Sequence, residues 1–161
     1  MTGFMAAFLG DVTEPVASWN PTRALGQLFD YIDLSSVDQV RKLVTGATRV
    51  PTGEAPSRAR QLVSAGDVLV STVRPNLNGV AVVPEGLRSA TASTGFTVLR
   101  PGSRLDGRYL FHWVRTPQFV GAMVRNATGA SYPAVSDKIV KASVIPLPPL
   151  DEQRRLSLIH I

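Results

Sequence analysis

RPNLNG, from Arg74 to Gly79, carries the side chains best suited to reading a base pair, and it lies between two apolar runs. A guanidinium fork matches guanine O6 and N7, and a carboxamide matches adenine N6 and N7, so Arg74, Asn76 and Asn78 are candidate base readers. The same residues have plainer uses. Arg74 can close an ion pair at a strand end, and Asn78-Gly79 is a turn dipeptide. Base contact, phosphate contact and a structural ion pair all stay open for Arg74, whereas the turn explains Asn78 more simply. A second polar group, Ser131, Tyr132 and Lys138, brackets Pro133. Ahead of both, Arg41, Lys42, Arg49, Arg58 and Arg60 are opposed only by Glu54. Such a run is a solvated face in most proteins. In a DNA-binding domain it contacts phosphates, which sets register but reads no bases.

Other chemistries find little support. Asp30, Asp33 and Asp38 suggest a cation site, yet no glycine-containing loop or fourth ligand accompanies them, and capping or turn roles are expected. The sequence holds no cysteine and two histidines. That leaves neither a zinc site nor a Cys/His nucleophile. His112 falls within a helical pattern, without a neighbouring His or Cys, and is expected to pack or face solvent. The chain has no Walker-type glycine-rich loop, no S-adenosylmethionine motif, no Asn/Asp-Pro-Pro-aromatic signature and no G-x-S-x-G elbow. No catalytic or metal-ligating residue is assigned, and the chain is expected to be non-catalytic.

At 161 residues the chain has room for one domain with its own core. Seventeen Lys and Arg against twelve Asp and Glu leave a net charge of +5, which favours a polyanionic partner. The apolar start, Phe4 to Leu9, is too short to cross a bilayer and lacks a basic flank. The absence of cysteine fits a reducing, cytoplasmic setting.

The candidate readers need elements to hold them. Alternation predicts a strand over 28–34, and residues 36–45 are ambiguous between loop and helix. A short helix is predicted over 57–63, stopped at Gly66. Residues 67–73 and 80–83 predict a hairpin whose loop is RPNLNG. Another strand is predicted over 94–100. Asp106 is expected to cap a helix over 107–115, and Pro117 to open a second helix to about Asn126. Gly129 to Pro133 reads as a turn, and Ser136 to Lys138 as the cap of a short helical turn. A strand over 142–149 is closed by prolines. A helix then starts at Leu150, with Asp151 and Glu152 at its positive end.

In detail these segments resemble the target-recognition domain of the DNA-specificity subunit of type I restriction–modification enzymes. IPLPPL from Ile145 to Leu150, followed by Glu152-Gln153, matches the strand–proline–helix run that closes such domains. Gly129, Ser131 and Pro133 match the G-S-x-x-P turn before it loosely. YIDLSSVD from Tyr31 to Asp38, GDVLVSTVRPNL from Gly66 to Leu77, STGFTVLRP from Ser93 to Pro101 and LGDV from Leu9 to Val12 follow the family pattern as well. The resemblance runs from Phe8 to Arg155.

That resemblance implies an α+β fold: a mixed, twisted β-sheet domain over 1–149 with flanking helices, and the start of a C-terminal spacer helix over 150–161. It implies reading one half of a bipartite duplex through Arg58, Arg60, Arg74, Asn76, Asn78, Ser131, Tyr132 and Lys138. It implies docking through Leu150, Glu152, Gln153 and Arg154 to a methyltransferase (modification) subunit, and through that to a restriction/translocase subunit. The chain itself is expected to bind no cofactor, with S-adenosylmethionine, ATP and Mg2+ on the partners. The family usually carries two recognition domains per chain and a long spacer helix. This sequence has room for one domain and stops at LSLIHI, so a truncated helix is expected. Two alternatives remain: the recognition domain of a fused restriction–methylation enzyme, and a protein-interaction module built on the proline strand and last helix.

Overall fold

The computed structural model describes residues 5–159. In chain order the elements are β1 (Met5–Phe8), α1 (Leu9–Val12), β2 (Thr13–Glu14), β3 (Leu28–Ile32), β4 (Val37–Asp38), β5 (Leu43–Val44), β6 (Thr48–Pro51), β7 (Ala59–Leu62), β8 (Val68–Ser71), β9 (Val80–Val82), β10 (Thr91–Ser93), β11 (Phe96–Pro101), α2 (Gly107–Trp113), α3 (Pro117–Asn126), α4 (Asp137–Ala142), β12 (Val144–Leu147) and α5 (Leu150–Ile159). Phe4, His160 and Ile161 lie outside the described residues.

Two four-stranded sheets form the body, in the orders β6-β3-β10-β7 and β2-β11-β8-β9. Pairing is antiparallel throughout except between β3 and β10, which run parallel. The STGFTVLRP run from Ser93 to Pro101 is thereby split. Thr91–Ser93 belongs to the first sheet and Phe96–Pro101 to the second, with Thr94-Gly95 crossing between them. β8 is covered on both faces. Val68 and Val70 join the helical core with Leu99, Leu110, Met123 and Ile145, while Leu69 joins Ile32, Ala92 and Phe96 between the sheets. A strand buried on both sides is apolar without alternation, which is why VLV is uninterrupted.

Local chemistry sets the helix ends. The Asp106 carboxylate accepts from the Arg108 and Tyr109 amides at the start of α2. Thr116 and Ser136 accept from Phe119 and Ile139 in the same way at α3 and α4. The predicted helix over 57–63 is instead strand β7. A helix that short has little stability alone. This segment finds sheet partners in β10, and the Gln61 amide donates to the Ser93 and Phe96 carbonyls at 2.9 Å each. The ambiguous 36–45 segment resolves into a 3-10 turn at Leu34–Ser36 and the two-residue strands β4 and β5.

The three aspartates have structural roles. Asp30, 5% exposed, takes Arg49 at 3.2 Å and the Arg88 amide at 2.6 Å. Burial pushes its carboxyl up, but these bonds outweigh burial and hold it below the usual carboxylate range. Asp33 and Ser36 form a capping box, and Asp38 accepts from the Val40 and Arg41 amides.

Candidate nucleic-acid interface

The loop joining β8 to β9 is a 3-10 turn at Pro75–Leu77 flanked by two left-handed residues, Arg74 at φ 48° and Asn78 at φ 50°. Pro75 is buried and anchors the turn, while Arg74, Asn76 and Leu77 are exposed. Leu77, which the sequence reading passed over, adds an apolar surface of the kind that meets a thymine methyl. Its signal was faint: an apolar residue inside an otherwise polar turn.

The second candidate stretch lies directly against this turn. Residues 128–135 fold back on themselves through the Thr128–Ala134 bridge, and Ala134 also bridges to Val73. The Arg74 amide donates to the Pro133 carbonyl at 2.7 Å, and the Val135 amide to the Thr72 carbonyl at 2.9 Å. The Arg74 guanidinium lies over the Tyr132 ring, 4.6 Å from its centroid. Arg74, Asn76, Ser131 and Tyr132 thus share one exposed end of the molecule. Gly129 makes this possible. It sits at φ 97°, and a Cβ there would stand 2.9 Å from the Tyr132 carbonyl oxygen.

Backbone bonds extend the surface sideways. The Thr72 amide donates to Gly95, and the Thr94 amide donates to the Arg58 carbonyl, each at 2.9 Å. Arg58 is exposed beyond that strip. Arg60 lines a cleft of about 430 Å³ with Gln61, Thr72, Thr94 and the ion-paired Asp137 and Lys141, over a floor that includes Phe96 and Val98. Lys138 is exposed in the first turn of α4. Among the described residues, no carboxylate is in ion-pair contact with Arg58, Arg60, Arg74 or Lys138. Charges left without carboxylate partners suit a polyanion.

Two of the sequence candidates are committed inside the domain. The Asn78 side chain donates to the Val114 carbonyl at 2.9 Å, so it ties the hairpin to the α2–α3 corner rather than facing a ligand. Gln153 is fully buried. Its carboxamide oxygen accepts from the Asp106 amide at 2.8 Å, and its nitrogen donates to the Arg104 and Pro148 carbonyls at 2.9 and 2.8 Å. A side chain so used is not offered to a partner; it fastens α5 to the start of α2. Arg154, Glu152 and Leu150 stay at least partly accessible on that helix.

Lys42 stood out in the sequence only as one member of the basic run. Its ammonium donates to the Asn78 carbonyl at 2.6 Å. Burial, and next the nearby Arg115, push Lys42 below its ordinary range, and burial lowers Arg115 too. Nothing in local sequence marks this contact, which joins the β4–β5 turn to a loop far along the chain.

The described residues contain no group of three or more His, Cys, Asp or Glu side chains placed to hold a metal, and no helix long and apolar enough to cross a membrane. What the geometry offers is a rigid turn and a facing loop that project a guanidinium, a carboxamide, an aromatic ring and a hydroxyl from a cationic surface. That combination gives an α+β domain an exposed surface of mixed hydrogen-bonding, aromatic and cationic character.

No protein-family model matches the chain, and no curated protein matches it. Solved structures do. The chain is similar to the HsdS subunit from Thermoanaerobacter tengcongensis, at 36% identity and a TM-score of 0.89, over 98% of this chain and 41% of that one. It is similar also to a chain from a structure of a type I R-M system described for its complex assembly and conformational transition. There the identity is 35% and the TM-score 0.91, over 99% of this chain and 41% of the other. The chain belongs to the family of type I restriction–modification specificity subunits, with the fold of their target-recognition domain. It spans about two-fifths of the length of each relative. Neither relative favours a fused restriction–methylation enzyme or a protein-interaction module.

Proposed function

We propose that this chain reads one half of a bipartite duplex DNA site for a type I restriction–modification system, and that it directs methylation and restriction carried out by other subunits. The observation that carries this reading is the meeting of the Arg74–Asn78 turn with the Ser131–Tyr132 loop at one exposed, cationic end. Arg74 and Asn76 are the base readers in this proposal, with Leu77 beside them. Arg58, Arg60 and Lys138 take phosphates and set the register. The chain supplies specificity and no catalysis. S-adenosylmethionine belongs to a modification subunit, and ATP and Mg2+ to a restriction/translocase subunit. Leu150, Glu152 and Arg154 on α5 face the modification subunit, and the setting is cytoplasmic, where chromosomal and invading DNA are both met.

The test is methylation mapping in a host that expresses this chain with a modification subunit. A new motif containing two separated half-sites, lost on deletion of this gene, supports the proposal. Absence of any new motif, while the purified chain shows no preference among random duplexes, would refute it. Binding should also fall steeply with salt. About six neutralised phosphates give a log–log slope near −5, far steeper than a protein partner would show.

A further inference from the structure

Among the described residues, four that are not glycine take the left-handed backbone: Lys42, Arg74, Asn78 and Ser89. Three of them meet at one place. Arg74 and Asn78 flank the turn at Pro75–Leu77, and the Lys42 ammonium donates to the Asn78 carbonyl at 2.6 Å. A side chain with a Cβ disfavours this conformation, so it persists only where the surroundings hold it.

Asn78 is held from two sides. Its carbonyl takes Lys42, and its carboxamide donates to the Val114 carbonyl at 2.9 Å. Lys42 is itself fixed, since its amide donates to the Asp38 carbonyl at 2.8 Å across the β4–β5 turn. No carboxylate among the described residues is in ion-pair contact with Lys42. Its head group serves the turn instead, and Gln39 of the same small hairpin lies against Gly79.

We propose that Lys42 is a positioning residue for base discrimination: by gripping the Asn78 carbonyl it locks the 74–78 turn in one geometry and so aims Arg74 and Asn76. The inference rests on the DNA-reading role proposed above. Lys42 acts through the turn and makes no base contact of its own.

The test compares the full-length chain with K42M and K42R, by selection from a random duplex pool and by titration against the selected duplex and an unrelated one. Arginine keeps a donor within reach of the Asn78 carbonyl, and methionine does not. K42M is expected to lose about tenfold or more in preference for the selected duplex, the scale of one lost base contact. Its binding to unrelated duplex should stay close to wild type, and K42R should keep most of the preference. An equal loss on every duplex, with the salt slope smaller by about 0.9, would make Lys42 a phosphate contact and overturn the inference. Unchanged discrimination by K42M would overturn it too. If K42M does not fold, K42N, which suits the left-handed backbone but is too short to reach the Asn78 carbonyl, is read against K42R: loss of preference only in K42N supports the inference, and preference kept in both overturns it. A wild-type chain that selects no duplex at all would overturn the DNA-reading role and this inference with it, an outcome distinct from wild-type selection that K42M leaves intact.

Discussion

The Arg74 guanidinium rests on the face of Tyr132, 4.6 Å from the ring centroid, while its own amide donates to the neighbouring Pro133 carbonyl. One residue of the hairpin turn is thus held by two residues of the facing loop, through side chain and backbone. A cation over an exposed ring contributes about 0.5–1 kcal/mol. The contact therefore matters more for aiming the fork than for stability.

Arg74→Ala is expected to weaken binding to the preferred duplex by about 1–3 kcal/mol if the fork reads a guanine. Tyr132→Leu should cost about 0.5–1 kcal/mol by releasing the fork from its ring. The double variant should be little worse than Arg74→Ala alone, because both changes disable the same contact. Anisotropy titrations of the four proteins would show this. Fully additive losses would mean that the ring acts independently of the fork.

Gly129→Ala should lower stability by about 1–3 kcal/mol and weaken duplex binding as well. At φ 97° the new methyl strains the backbone and meets the Tyr132 carbonyl at 2.9 Å. Gly26 provides the control, since at φ 78° nothing lies within 4 Å of its missing Cβ. Gly26→Ala should cost about 1 kcal/mol from backbone strain alone and leave binding unchanged. Thermal melts paired with titrations separate the two.

Gln153→Ala removes one acceptor and two donated bonds from a fully buried site. A loss of about 3 kcal/mol is expected from the cavity and the unpaired Asp106 amide, Arg104 carbonyl and Pro148 carbonyl. Urea denaturation measures it. Duplex affinity of the folded variant should be near wild type, because the Gln153 side chain bonds to none of the candidate readers.

Asp30 sets a limit on acid stability. Its folded carboxyl titrates below its unfolded value, held there by Arg49 and the Arg88 amide against burial. The stability it contributes is therefore complete above the unfolded value of about 3.9 and disappears as pH falls through the lower, folded value. Asp30→Asn should be less stable than wild type at neutral pH, and the gap should narrow on acidification below about pH 4. Denaturation midpoints collected from neutral pH downward test this; a gap of constant size would assign the stability to packing.

Much of the architecture follows from neighbours in the chain. The β8–β9 hairpin, α2, α3, the Ser136 cap and the helix start at Leu150 rest on caps, prolines and apolar spacing within a few residues, all of which a sequence displays. The same is true of the turn at Gly129 and of the reading loop's position between two apolar strands. Strand β7 was not legible, because its partner β10 is distant in sequence and its own composition suits a short helix. Gln153 misled for a related reason: a polar residue in the first turn of a helix looks exposed until the Asp106 amide and the Arg104 carbonyl are folded onto it.

By itself, then, the sequence determined a basic, cysteine-free α+β chain, the types of side chain its turns carry, and which family pattern it follows. Tertiary structure alone decided that Arg74 and Tyr132 stand together, that Asn78 and Gln153 turn inward, and that Lys42 grips the hairpin turn. The physical reason is one of range. Caps, turns and periodicity act over a few residues, whereas a cation on a ring, or an ammonium on a distant carbonyl, exists only once separate sheets and loops have packed.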